Sequence, residues 1–189
     1  MKTGIVFHEL YLWHDTGNHA DYVPYGFPVE PFQHSENPDA KRRIKNLMEV
    51  SGLYEKLFQI TPRKATKDEI LLFHTEDHFE NMKSLNDSIT IDAGITTPTG
   101  IGSFDIALLS AGGVIEAIDH VIDEKVNNAY ALVRPPGHHA MPNKAMGFCV
   151  FGNAAIAGKH ALKNKDLHKI AFIDWDVHHG NGTQAAFYN

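Results

Sequence analysis

Two short stretches concentrate the residue types that hold metals and move protons. In the first, the apolar run Ile170-Ala171-Phe172-Ile173 leads into Asp174-Trp175-Asp176-Val177-His178-His179-Gly180-Asn181-Gly182-Thr183. Side chains alternate along an extended chain, so Asp174, Asp176 and His178 share one side while Trp175, Val177 and His179 take the other. A carboxylate and an imidazole two residues apart on one side form a compact half-site for a divalent cation. Gly180 and Gly182 then permit a tight turn into a helix beginning near Thr183. The second stretch, Tyr130-Ala131-Leu132-Val133-Arg134-Pro135-Pro136-Gly137-His138-His139-Ala140, is again an apolar run that enters a stiff turn. Its prolines fix φ and present His138 and His139 rigidly, and imidazole is the side chain that titrates near neutral pH. The Asp174 to Thr183 cluster favours a functional site by itself, whereas His138 and His139 alone would read as a solvated surface turn; the two clusters in one chain strengthen the functional reading.

The elements that must position these residues follow from apolar spacing. Ile170 to Ile173 reads as a strand buried on both faces of a parallel sheet, and ligands in such sheets gather where strands end. Gly4 to Phe7 predicts a first buried strand. From His8 to Pro38 there is no helical period, so a long loop is expected, with Trp13, His14, Tyr25 and Phe27 either walling a pocket or plugging the loop onto the core. Asp39 to Val50 is an amphipathic helix ended near Gly52, with Lys41, Arg42 and Arg43 placed against its dipole. Gln59 to Pro62 is a short strand, and Thr66-Lys67-Asp68-Glu69 is a capping box opening a helix through Phe73. A helix from Glu76 to Leu85 carries a structural His78, and Ser88 to Gly102 is a loop. Phe104 to Val126 is the clearest helix; Gly112 and Gly113 within it cost about 1 kcal/mol each, which close approach of a neighbouring element would offset. A strand at Tyr130 to Val133 and an Ala-rich helix at Asn153 to Lys163 complete the order. The expected fold is α/β, a parallel doubly wound sheet with helices on both faces, in one domain.

Composition narrows the function classes. The 189 residues are 43% hydrophobic and 21% charged, ordinary values for a soluble globular chain. A net charge of −6 argues against a nucleic-acid partner and suits a cationic substrate. The single cysteine, Cys149, excludes an internal disulfide framework and fits a reducing compartment. No apolar run is long enough to cross a membrane and no signal peptide opens the chain, so a cytoplasmic location is expected.

Arg134-Pro135-Pro136-Gly137-His138-His139-Ala140, Gly147-Phe148-Cys149 followed by Asn153, and the Asp174 to Thr183 stretch together resemble the histone deacetylase superfamily. Trp175 and Asn181 resemble its class II and bacterial deacetylase-like amidohydrolases. Weaker similarity at Tyr11 to Gly17, Asn37 to Arg43 and His78 to Lys83 extends the likeness over nearly the whole chain. The resemblance implies an arginase/deacetylase-like fold and zinc-dependent hydrolysis of an acyl-amide, the substrate being an acyl-lysine or acyl-polyamine. It makes Asp176 and His178 two zinc ligands, the zinc polarising the amide carbonyl and acidifying its water. His139 becomes the general base that later protonates the leaving amine, His138 on Asp174 an electrostatic support, and Asn181 the residue that orients His139. Gly147 and Phe148 would line a narrow tunnel, Asp92 would hold substrate backbone at its mouth, and Arg43 would line an internal cavity for the leaving acid. For Arg43 a solvated basic face is the equal alternative. Asp174, with the carbonyls of Asp176 and His178, would also hold a structural K+.

The family's third zinc ligand, an Asp in a Gly-Phe-Asp motif, and its Tyr beside a Gly-Gly pair have no match in the sequence. Residues 1–189 are therefore expected to be the N-terminal portion of a single deacetylase-like domain, partnered by the missing C-terminal half or by a second copy. A binuclear manganese ureohydrolase is discounted, because its motifs carry further acids where this chain has His179 and Gly180. The rival of another class is an inactive or complementing fragment that binds acyl-lysine.

Overall fold

The computed structural model describes residues 1–18, 28–89, 91–164 and 167–188. Its strands are β1 (Thr3–Val6), β2 (Phe58–Ile60), β3 (Ile91–Asp92), β4 (Gly94–Ile95), β5 (Pro98–Thr99), β6 (Asn128–Ala131) and β7 (Ala145–Met146). Its helices are α1 (Asp39–Val50), α2 (Lys67–Ile70), α3 (Glu76–Ser84), α4 (Ser103–Ile122), α5 (Asn153–Asn164) and α6 (Asn181–Phe187). The main sheet has the order β2-β1-β6 and both pairings are parallel. Ile5 pairs with Gln59 on one side and Tyr130 on the other.

Alternation along β1 sends side chains to two different cores. Val6 packs with Ile60, Ala117, Val126 and Val133 beneath α4. Ile5 packs with Met48 of α1 and Leu132 on the opposite face. Helices thus cover both faces of a parallel sheet, the expected α/β arrangement. The long helix α4 also packs along α5, with Phe104, Ala107, Leu108, Ala111 and Ile115 meeting Ile156 and Ala157. A Cβ at Gly112 would collide with the Arg63 carbonyl oxygen and come within 2.6 Å of the Ala65 amide nitrogen, so the glycine admits the chain beside it. The capping box at Thr66 and Glu69 is formed, but its helix stops at Ile70 rather than Phe73. The loop expected over residues 88–102 contains the small strands β3, β4 and β5, and β4 pairs parallel with β7.

One expectation fails. Ile170 to Ile173 is not a buried strand: among the described residues it has no ladder partner, and Ile173 is 83% exposed and Trp175 90%. The segment has no regular secondary structure, and Ile170 shares with Ala129 and Ala131 of β6 an apolar cleft of about 350 Å³ that Val121, Ala161 and Leu167 also line. An apolar run favours a strand, but burial on both faces of a sheet needs flanking strands, and none of the described ones pairs with it.

Candidate active site

The two histidine-bearing stretches meet. Arg134, shortly beyond β6, is fully buried, and its guanidinium donates to both carboxylate oxygens of Glu36 (3.1 and 2.8 Å) and to the carbonyls of Tyr11, His14 and Glu36. From the other side the Pro135 carbonyl accepts from Ser110 Oγ and Asn153 Nδ2, each at 3.0 Å. The turn carrying His138 and His139 is therefore pinned on both flanks before it reaches the imidazoles. Its far side is fixed by α6, whose first amides at Gly182 and Thr183 donate to the His138 carbonyl.

Hydrogen bonds assign the tautomers. Asn181 Nδ2 donates to the His139 carbonyl at 3.2 Å, so the facing Asn181 Oδ1 is an acceptor, 2.6 Å from His139 Nδ1. His139 Nδ1 must then carry the proton, leaving Nε2 with its lone pair. His138 Nδ1 donates likewise to Asp174 Oδ2 at 2.9 Å. The two rings lie 4.1 Å apart, and His139 is 5.8 Å from the ring of His178. Asp174 accepts also from the Asp176 amide, and these bonds, His138 first, hold its carboxyl below the usual carboxylate range. A Cβ at Gly180 would strike the Asp174 carboxylate, which explains a glycine at this turn.

Asp176 Oδ1 accepts from the His178 amide at 2.8 Å and lies 3.1 Å from His178 Nδ1. The amide bond is the main cause of a lowered Asp176 pKa. Two ligand atoms on one tetrahedral metal with bonds of about 2.0 Å stand about 3.3 Å apart, so this pair fits two corners of such a shell, with the cation taking the place of the shared proton. Among the described residues no group of three His, Cys, Asp or Glu converges to complete it. An open cleft of about 430 Å³ adjoins the pair, bordered by Val133, Pro136, His138, Ile173, Asp174 and Asp176. His179 turns away and meets Gln184 of α6.

The remaining expected residues fall differently. Gly147 and Phe148 sit beside the site: their amides donate to the Ile95 and Thr96 carbonyls, and the Phe148 ring meets His34 edge-on at 4.7 Å. Asp92 is exposed and accepts from the amides of Gly94, Thr96 and Thr97, shaping the turn that touches Gly147 and Phe148. Arg43 is exposed on α1 rather than enclosed in a cavity, because the buried side of that helix is taken by Met48. His14 is buried and bonds Ser103 Oγ, Trp13 is 71% exposed, and Tyr25 and Phe27 lie outside the described residues. Sequence reasoning placed Cys149 in a motif but missed its contact with the site: its sulfur accepts from the His139 amide at 3.4 Å, and burial pushes its thiol up to about 12. It missed the Arg134 tether too, although a charge between an apolar strand and two prolines was a visible signal.

Residues 34–189 match the family model of the histone deacetylase domain. The chain is 44% identical to a histone deacetylase-like amidohydrolase of Pseudomonas aeruginosa, over 99% of this chain and 50% of that protein. It is 39% identical to a probable deacetylase of Archaeoglobus fulgidus, over 100% of this chain and 49% of the relative. Among solved structures the HD domain of HDA15 superposes with a TM-score of 0.87 at 33% identity, covering 99% of this chain and 50% of that one. The chain thus spans about half the length of the curated relatives it matches.

Proposed function

The chain belongs to the histone deacetylase family, and from that premise we propose that it carries the proton-transfer half and two of the metal ligands of a zinc-dependent amidohydrolase acting on acylated amines of the lysine or polyamine type. The observation that carries the reading is the pairing of His139 with Asn181 and of His138 with Asp174, beside two donor atoms 3.1 Å apart at Asp176 and His178.

Asp176 Oδ1 and His178 Nδ1 would hold the zinc, which when bound supplies Lewis-acid activation of the acyl carbonyl and of water. His139 Nε2 takes the proton from the attacking water, since Asn181 keeps the proton of Nδ1 in place. The imidazolium so formed returns that proton to the departing amine. His138, held by the Asp174 carboxylate, steadies the charge that gathers on this side of the reaction. Asp174 serves by its grip on His138, and no potassium enters the proposal. Phe148 walls the approach for a linear acyl-amine, and the turn shaped by Asp92 forms the rim.

The absence of a third ligand among the described residues favours a second reading, in which this chain alone is inactive and is completed by further polypeptide. Both readings meet one assay. Hydrolysis of an acetyl-lysine anilide is measured with zinc, using the chain alone and the chain mixed with the half of the Pseudomonas aeruginosa relative that it does not cover. Turnover in the mixture alone supports a complementing hydrolase. A zinc-loaded mixture without turnover would leave a binding module and rule out the hydrolase.

A further inference from the structure

Beneath the site, two histidines outside the proposed chemistry hold the loop that walls it. His74 lies just before α3 and His78 in its first turns, and both are buried. Their rings lie 4.8 Å apart and pack on Phe151, at 5.4 and 5.7 Å. Burial holds the His74 pKa down to about 3 and lowers that of His78 as well, so both are neutral near neutral pH.

Neutral imidazole offers one donor and one acceptor, and His74 uses both on the two ends of a single loop. The Gly152 amide donates to His74 Nε2 at 2.9 Å, so Nε2 has no proton and Nδ1 bears it, facing the Pro142 carbonyl at 3.3 Å. Thr75 adds its amide to the same carbonyl at 2.8 Å. His78 takes the other tautomer, with Nε2 donating to the Val150 carbonyl at 3.0 Å. Between these anchors the loop carries Gly147, Phe148 and Cys149. Phe148 sits at φ +67, a conformation that non-glycine residues hold only where their surroundings enforce it.

We propose that His74, seconded by His78, is a positioning residue: a neutral imidazole clasp that keeps the 142–152 loop shut, so that Phe148 stays against His34 and Cys149 stays under the His139 amide. The proposal rests on the hydrolase reading only for what the loop walls off. The clasp itself can be tested without turnover, because Cys149 is the one thiol of the chain and is buried.

The first measurement is imidazole ¹⁵N–¹H NMR of the unaltered chain. It is expected to give a neutral Nδ1–H tautomer for His74 and a neutral Nε2–H tautomer for His78. A His74 that carries its proton on Nε2, or is cationic near neutral pH, overturns the proposal. The second is the rate at which a disulfide reagent labels Cys149. His74→Phe is expected to speed labelling about tenfold or more, the factor in local opening that follows from losing two neutral hydrogen bonds. His74→Gln, which keeps a donor and an acceptor, is expected to restore protection with helix content unchanged in both. A wild-type labelling rate in a folded His74→Phe chain refutes the clasp. If that variant does not fold, the tautomers of the unaltered chain decide. An assembly that keeps Cys149 protected yet hydrolyses no acyl-amide sinks the hydrolase reading and leaves the clasp standing.

Discussion

The tautomer of His139 is chosen by its neighbour, since Asn181 fixes the proton on Nδ1 and leaves Nε2 to accept, as the proposed base role requires. In an active assembly His139→Ala should therefore cut turnover roughly a hundred- to ten-thousandfold while bound zinc stays unchanged. Retained turnover would remove His139 from the role. Arg134 acts otherwise, by anchoring the turn rather than by chemistry. Replacing it with Met leaves the Glu36 carboxylate buried without its partner, and a loss of about 3–5 kcal/mol in denaturant-measured stability is expected. A loss under about 1 kcal/mol would mean that Glu36 finds water or Lys41 instead. At this scale the sequence was most legible where motifs are local. Asp174, Asp176, His178 and Asn181 are close in sequence and can be read together. The Cys149 and His74 contacts join residues that only folding brings near.

Among the elements, α2 is tied to α4 through Arg63, which meets Glu69 at 2.6 Å and Glu116 at 2.8 Å. Arg63 holds the Glu69 pKa down to about 2 from 4.5. His74 stands at about 3 in the fold against 6.5 free, so the unfolded chain binds the extra proton as pH falls. Both groups contribute full stability above their free values. Loss should begin near pH 6.5 with His74 and continue toward 3, joined by Glu69 below 4.5. Denaturation midpoints across that range would check it; a midpoint constant from pH 6.5 to 4.5 would contradict the His74 contribution. Gly112→Ala tests the close approach of the Arg63 to Ala65 segment to α4. Helix propensity alone would gain about 1 kcal/mol, but the clash should turn this into a net loss of about 1–3 kcal/mol in thermal or chemical denaturation. The spans of α1 and α5 were legible because a helix signals itself by local apolar spacing. The Ile170 run, expected as a buried strand, is neither paired nor buried among the described residues, because a parallel strand is buried by partners far away in sequence.

For the whole molecule, the chief fact is that the segment through Asp174 and Asp176 borders an open cleft while its apolar side chains stand exposed. Ile173, Trp175 and Val177 are 83%, 90% and 91% exposed, beside the proposed ligands Asp176 and His178, which no third His, Cys, Asp or Glu joins among the described residues. Polypeptide that completes the site is expected to cover Trp175, which borders the same cleft as Asp174 and Asp176. Mixing with the uncovered half of the Pseudomonas aeruginosa relative should shift tryptophan emission to shorter wavelength, and Trp175→Phe should abolish most of that shift, since Trp13 borders a different cleft, among Leu12 to Asn18. Among the described residues no helix is long and apolar enough to cross a membrane. Asp176 and His178 are proposed to form part of a shared zinc shell, and the zinc content of the mixed complex after exhaustive dialysis is the decisive measurement. One zinc per complex is expected, with little on the chain alone and none in the Asp176→Ala, His178→Ala double variant. A complex of that variant that still retains its zinc would contradict the proposal.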